Sequence, residues 1–233
     1  SATMYAQALD IANKHMKNPT KITATRMVDP TKLKQCYYDV PQKLKNELLV
    51  HLLRKEDSDL VMVFCNTRRA TDYVSKTLRA NKIKSAAIHG GHNQPKRLKT
   101  IEQFHKGKFN VLVCTDVAAR GLDIQGVTHI YNYDIPKEPC DYVHRIGRTA
   151  RAGNKGRVIN ILSRRDYDSF SKIINFHRDY NIECLERPYL EHTIKTPTQK
   201  QRRGRYSRKN KSRRNRSHKG PRRRRSNSEN RRH

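Results

Sequence analysis

Between about residue 33 and residue 190, short apolar runs alternate with stretches whose apolar positions recur at helical spacing. That alternation is the mark of successive β-α units and a parallel sheet. Leu60 to Cys65, Ser85 to His89, Phe109 to Cys114, Val127 to Tyr133 and Gly156 to Leu162 read as strands. Runs such as Leu60-Val-Met-Val-Phe-Cys65 have no polar residue in alternation, so they are expected to be buried on both faces. Between them, Leu44, Leu48, Leu49, Leu52 and Leu53 share one helical face. Thr67 is positioned to cap a helix carrying Ala70, Tyr73, Val74, Thr77 and Leu78 on one side. Further helices are expected at Gln94 to His105, around Asp141 to Arg145, and from Arg164 to Tyr180. Five or six such units suffice for one core in a domain of this size.

Both ends depart from this pattern. Residues 1 to 25 hold a helix-like Tyr5 to His15 and a short extended Lys21 to Ala24, too little for a core, and read as the trailing end of a preceding domain. A linker is expected at 26–32 and the α/β domain at 33–192. The opening Ser1 in place of Met fits a fragment or a processed chain. From Thr193 the apolar periodicity stops. The 41 residues from there to His233 carry 18 Lys and Arg against one acid, Glu229, leaving 33 basic and 20 acidic residues for the rest. Blocks such as Arg222-Arg-Arg-Arg225 repel themselves, and this tail is expected to be disordered when unbound.

A net charge of +30 calls for a polyanionic partner, either nucleic acid or an acidic membrane surface. No apolar run approaches the length needed to cross a bilayer, and no secretory signal opens the chain. The five cysteines are scattered and form no CxxC pair, which points to a reducing, intracellular setting without structural zinc. His89 and His92 could contribute to a metal site, but no acidic or thiol partner accompanies them locally, and no metal is expected.

Two strings carry the chemistry. In Tyr142-Val-His-Arg-Ile-Gly-Arg-Thr-Ala-Arg-Ala-Gly153, helical geometry near the end would put Arg148 and Arg151 on one side. Two adjacent guanidiniums need an anion between them, and a phosphate matches their two-donor forks; alternatively they are two surface arginines of a basic protein. Directly after an apolar strand comes Cys114-Thr-Asp-Val-Ala-Ala-Arg-Gly-Leu-Asp-Ile124. Ligands of open α/β sheets gather at such strand ends, although a turn with Asp116 capping a short helix and Gly121 supplying positive φ also accounts for it. Gly121 to Gly126 has the glycine spacing of a phosphate loop, but Val127 stands where lysine is required.

His144-Arg-Ile-Gly-Arg-Thr-Ala-Arg151 resembles motif VI of the DEAD-box helicases, HRxGRxxR, and Thr115 to Asp123 resembles their motif V, TDVAARGxD. Val61 to Thr67 resembles motif IV, His89-Gly-Gly-His-Asn-Gln-Pro-Lys-Arg97 the pattern HGxxxQxxR, and Ser1-Ala-Thr3 motif III. One departure is Ala150, where the family usually has glycine; a methyl group there is expected to matter little. The resemblance covers residues 1 to 190 and leaves out the tail. It implies a RecA-like parallel sheet flanked by helices, the second of two motor domains.

It also implies roles. His144, Arg148 and Arg151 would be catalytic, the two arginines contacting the γ-phosphate of ATP, and Asp123 would contact the nucleotide ribose. Thr67, Gly90, Gly91, Arg97, Thr115 and Asp116 would face RNA, and Arg120 would brace the loop. ATP with Mg2+ would be held mainly by an N-terminal RecA-like domain that carries the phosphate-loop lysine and the Asp-Glu-Ala-Asp box. Neither is found in this sequence, so the chain alone is expected to be inactive. Single-stranded or duplex RNA, read largely without sequence preference, and that first domain are the partners implied, with the protein a monomer in the cytoplasm, nucleus or nucleolus. The tail would tether RNA by releasing counterions, or would serve solubility or nuclear import. Two other classes stay open: the motor half of a related DNA helicase, and a non-catalytic RNA-binding or annealing module.

Overall fold

The computed structural model describes residues 6–17, 32–56, 58–120, 122, 124, 126–150, 155–190 and 194–197. The motif III resemblance at Ser1 to Thr3, the linker and the tail beyond 197 lie outside the described residues.

Seven strands form one sheet in the order β3-β4-β2-β5-β6-β1-β7. They are β1 (Leu33–Asp39), β2 (Leu60–Phe64), β3 (Ser85–Ile88), β4 (Val111–Cys114), β5 (Val127–Asn132), β6 (Gly156–Leu162) and β7 (Ile182–Cys184). Every pairing is parallel. The helices are α1 (Ala6–His15), α2 (Lys45–Lys55), α3 (Arg68–Ala80), α4 (Gln94–His105), α5 (Asp116–Ala119), α6 (Pro139–Ile146) and α7 (Tyr167–Phe176). Among the described residues no helix is long and apolar enough to cross a membrane.

The unbroken apolar strands are explained by two core layers. Met62, Phe64, Leu112, Cys114, Ile130 and Val158 pack into one layer with residues of α4 to α7. Their neighbours Val61, Val63, Val111, Val113, Tyr131 and Ile159 pack into the other, with Leu48, Leu49 and Leu52 of α2 and Val74 and Leu78 of α3. Since successive side chains point to opposite faces, a strand covered on both sides needs an apolar residue at every position.

Among the strands that lack this signature are β1 and β7. β1 mixes Lys34, Gln35 and Cys36 with tyrosines, and β7 is three residues long with an exposed end. β1 nevertheless sits between β6 and β7, because a buried polar chain receives it. Asn132 donates to Asn160 (2.8 Å), Asn160 to the Cys36 carbonyl (3.0 Å) and to Tyr142 Oη (3.2 Å), and Tyr142 to Gln35 Oε1 (2.8 Å).

The compact unit runs to Pro197. Asn81, at the end of α3, grips the Lys195 backbone twice, accepting its N–H at 3.0 Å and donating to its carbonyl at 2.9 Å. Ile194 packs on the α2–α3 layer. Periodicity could not show this, since one apolar residue and one backbone clasp hold the segment down.

The turn after α6 is closely packed. Thr149 bridges to Val127, and its hydroxyl donates to the Val127 carbonyl at 2.6 Å. Ala150 then adopts φ +53°, a left-handed conformation that is unfavourable for a residue with a Cβ. The expectation that alanine there is inconsequential is therefore corrected: the family's glycine fits a backbone demand that Ala150 meets with strain. Gly156 lies against the same turn. A Cβ on it would sit 2.6 Å from Thr149 Oγ1 and 2.8 Å from the Ala150 amide nitrogen. Ala150→Gly should raise stability by about 0.5–1 kcal/mol after the added unfolded-chain entropy of glycine is subtracted. Gly156→Ala should lower it by about 2 kcal/mol or more through overpacking. Urea unfolding followed by circular dichroism measures both.

Candidate functional site

Three of the sequence motifs emerge at the carboxyl edge of the sheet, and residues of a fourth, in α6, reach it. Asn66 and Thr67 follow β2, His89 to Gly91 follow β3, Thr115 and Asp116 follow β4, and Asp134 follows β5. In a parallel sheet this is where strands stop and backbone amides turn outward, so it is the edge at which ligands gather.

Arg145 of α6 is the centre of that edge. It is only 1% exposed. Its Nε and one Nη2 hydrogen clamp the two Asp116 oxygens at 2.6 and 2.8 Å. Nη1 donates to Asn132 Oδ1 at 3.0 Å and to the Asp134 carbonyl at 2.6 Å, and Nη2 to Asn66 Oδ1 at 2.9 Å. Five N–H donors thus meet five acceptors, and the guanidinium lies 5.0 Å over the Phe64 ring. One side chain ties the loops after β2, β4 and β5 to the helix that leads into Arg148. Sequence analysis gave Arg145 no role. A signal was present: it occupies the buried stripe of α6 with Tyr142 and Ile146, and an arginine in an apolar stripe implies buried partners.

The expected sites fall around this hub. α6 ends at Ile146, so the helical spacing invoked for Arg148 and Arg151 is corrected: Arg148 sits in the turn beyond the helix. Its Nη1 donates to the Leu122 carbonyl at 2.8 Å, which holds it against the 116–124 loop. Arg151 and Asp123 lie outside the described residues. His144 is half-buried with Nδ1 3.8 Å from Asp141. Burial, then the charges of Arg120 and Arg148, push its pKa below the ordinary histidine value, so the ring is neutral at pH 7. Arg120 pairs with Asp141 and thereby joins the end of α5 to α6.

Thr67 caps α3, its Oγ1 accepting from the Ala70 amide at 3.1 Å, and remains exposed. Arg97 donates to Gln94 Oε1 (3.0 Å) and to the Ala118 carbonyl (3.1 Å), pinning α4 on α5; its buried Nε has no partner among the described residues. Thr115 is largely buried. The Asp116 carboxylate is taken up by Arg145, so its side chain serves the fold. The guanidinium of Arg68, another side chain given no role beforehand, lies over Gly90, 3.3 Å from where a Cβ would stand.

The fold also supplies the acidic neighbour that the histidines lack in sequence. Asp72 of α3 joins His89 and His92, with one potential ligand atom from each lying within 4.8 Å of the others. The bonding reads otherwise than a metal site, however. The Gly91 amide donates to His89 Nδ1 at 3.1 Å, so the ring proton resides on Nε2, 3.2 Å from Asp72. Asp72, His89 and Gly91 form a hydrogen-bonded brace under the glycine loop, and the Gly91 N–H is used within it.

The edge therefore presents cations and donors on a frame built by one buried arginine. Comparison with known proteins identifies it. Residues 44–153 match the helicase conserved C-terminal domain. The chain is 42% identical over 196 residues to the DEAD-box ATP-dependent RNA helicase CshA of Geobacillus kaustophilus, covering 83% of this chain and 42% of that protein. The crystal structure of the E. coli DEAD-box protein SrmB bound to the regulator of ribonuclease activity A is 36% identical, with a TM-score of 0.62, covering 72% of this chain and 98% of that one. This chain belongs to the DEAD-box family.

Saccharomyces cerevisiae Dbp5 bound to RNA and ADP BeF3, another DEAD-box protein, aligns at a TM-score of 0.73 with 27% identity over 80% of this chain and 50% of that one. The fold described above is the family's helicase C-terminal domain, a RecA-like sheet flanked by helices. The chain spans about two fifths of the length of the CshA relatives it matches.

Replacing Arg145 by lysine tests the hub. Three ammonium donors cannot serve five acceptors, and the partly buried Asp116 carboxylate is left half-paired. Arg145→Lys should cost about 3 kcal/mol in urea unfolding. Arg120→Lys, on a half-exposed pair, should stay within about 0.5 kcal/mol of the parent; equal costs for the two variants would contradict the assignment.

Proposed function

We propose that this chain is the second motor half of an ATP-dependent RNA helicase, contributing arginine side chains to ATP and donor groups to the backbone of a single RNA strand. The observation carrying this reading is the arrangement around Arg145. It binds the motif V loop through Asp116 and the motif IV loop through Asn66, while α6 leads directly to Arg148, held on the Leu122 carbonyl. Asn66 and Asp116, from strings that resemble RNA contacts, and Arg148, from one that resembles ATP contacts, thereby meet at one edge.

The residues present fit a contact to a polyphosphate rather than a complete nucleotide site. Arg148 offers a cation at the edge, but the sequence has no GxxxxGK[ST] loop. ATP with Mg2+ is assigned to an N-terminal RecA-like domain, and when bound supplies a phosphoryl group that carries developing negative charge. Arg148 and Arg151 then stabilise that charge, an effect worth on the order of 10³ to 10⁵ in rate, or roughly 4–7 kcal/mol of barrier. His144, neutral and close to Asp141, Arg120 and Arg148, orients the arginine-bearing turn without adding charge to it.

On the RNA side, Thr67 and Arg97 offer donors to phosphate and sugar, which position a strand without reading its sequence. Closure of the two domains around ATP holds that strand in a path a regular duplex cannot follow, so strands part locally. The basic segment beyond Pro197 adds an electrostatic tether. The free cysteines, three of them buried, suit a reducing intracellular compartment.

In a chain joined to its N-terminal motor domain, Arg151→Lys should lower RNA-stimulated ATPase by at least about a hundredfold with RNA affinity nearly unchanged, because an ammonium lacks the planar fork. Near-parental turnover, or equal stimulation by DNA and RNA, would overturn the reading. Removing residues 198–233 should flatten the salt dependence of RNA binding. If the tail engages about eight duplex phosphates, the parent's affinity falls with about the seventh power of salt concentration. An unchanged slope would exclude the tether.

A further inference from the structure

Beside Thr67 the carboxyl edge opens into a depression of about 510 Å3, lined among others by Gln42, Lys43, Asn46, Thr67, Tyr73 and Arg165. These side chains come from the turn entering α2 and the first turn of that helix, from the cap and second turn of α3, and from the loop after β6. None of them except Thr67 belongs to a motif with an expected role.

The lining is unusual in what it has left to offer. Asn46 accepts through Oδ1 from Tyr133 (3.3 Å) and keeps its NH2 group as a donor, while the Gln42 amide lies 2.7 Å from the Ser163 hydroxyl, which also meets Asp166. Thr67 Oγ1 accepts in the α3 cap and keeps its hydroxyl hydrogen. Lys43 and Arg165 are exposed cations, and the Tyr73 ring is 39% exposed. Asp134 is the one acid on the lining. It is already engaged, accepting the Asn66 amide at 3.0 Å, and burial lifts its pKa above the ordinary carboxylate value while Lys45 and Arg145 face it. The depression thus combines donors, cations and one exposed aromatic ring, Tyr73, beside the buried Tyr133, which suits an acceptor-rich, anionic, flat ligand.

Its position selects the ligand. The sheet order places β2 between β4 and β5. Thr115 and Arg97, near β4 and α4, therefore lie to one side of Thr67 and the depression to the other. A strand crossing the edge past Thr67 runs into it. We propose that the depression receives one ribonucleotide of that strand beyond Thr67, with Lys43 and Arg165 on its phosphate and the base against Tyr73. This lengthens the RNA track of the domain by a nucleotide and rests on the reading of the edge as an RNA track. Base–aromatic stacking is tolerant of sequence and is lost when the ring is removed, and arginine supplies phosphate with a two-donor fork.

The test uses the whole chain at a salt concentration high enough to suppress the basic tail. Short RNAs carrying 4-thiouridine at successive positions are photocrosslinked and the linked peptides mapped by mass spectrometry. Affinities are measured in parallel for the parent, Arg97→Ala and the double variant Tyr73→Ala/Arg165→Ser, whose exposed positions leave the fold intact as checked by thermal melting. A crosslink to the peptide containing Tyr73, with a loss of about tenfold in the double variant only for RNAs long enough to pass Thr67, supports the proposal. Crosslinks confined to residues 89–97 and 115–120, with Arg97→Ala impaired and the double variant equal to the parent, would overturn it and leave the RNA reading standing. No crosslink anywhere on the edge and no effect of Arg97→Ala would sink both. Displacement of RNA by poly-glutamate equally in the parent and the double variant would also count against a nucleotide pocket.

Discussion

A guanidinium removed from water is costly unless every donor finds a partner, and Arg145 achieves this with five bonds to four residues at the ends of β2, β4 and β5. The same condition that makes its burial tolerable makes the carboxyl edge rigid. If the loop after β2, β4 or β5 shifts, a buried donor is orphaned, and orphaned donors cost far more than a hydrogen bond contributes when made. The hub therefore acts as a position lock. Thr67, the α5 turn and Arg148 inherit their places from it, although Arg145 itself reaches no surface.

Below the hub, a second polar chain does comparable work within the sheet. Asn132, Asn160, Tyr142 and Gln35 connect β5, β6, α6 and β1 through the core layer, so the helix bearing Arg145 is anchored to the strand that opens the domain. Asn132 belongs to both arrays, receiving from Arg145 and donating to Asn160. Burial drives the Tyr142 hydroxyl pKa upward, which keeps it a neutral donor to Gln35 under all ordinary conditions. Lys45, fully buried, closes the far side with bonds to the Tyr133 carbonyl (2.8 Å) and Asp166 (2.7 Å). These polar groups link elements that the apolar layers would let slide.

The exit from α6 shows the cost of that precision. Within four residues the chain ends a helix, places Arg148 on the Leu122 carbonyl, bridges Thr149 to Val127 and turns through a left-handed Ala150. Gly156 lets the next strand pass against this turn at a separation no side chain permits. Strain at Ala150 is tolerated because its neighbours are fixed by the Thr149 bonds and by β5 and β6, a pattern expected where geometry matters more than local preference.

Much of this was legible beforehand. Continuous apolar runs at β2 and β4 required a sheet covered on both faces, the Thr67 cap and the span of α4 followed from local rules, and the motif V loop was expected at a strand end. Such features depend on which neighbours a residue has in the chain, and those are written in order. What the tertiary structure alone decided was who meets whom: Arg145 with Asn66 across 79 positions, Asn81 with Lys195 across 114, Asp72 with the two histidines, and the polar β1 inserted beside β6. These contacts come from the packing of distant segments, whose geometry no local period encodes. A charged residue in a buried stripe, a methyl group at positive φ and a donor-lined hollow beside Thr67 acquire their meaning only once that packing has brought their partners within reach.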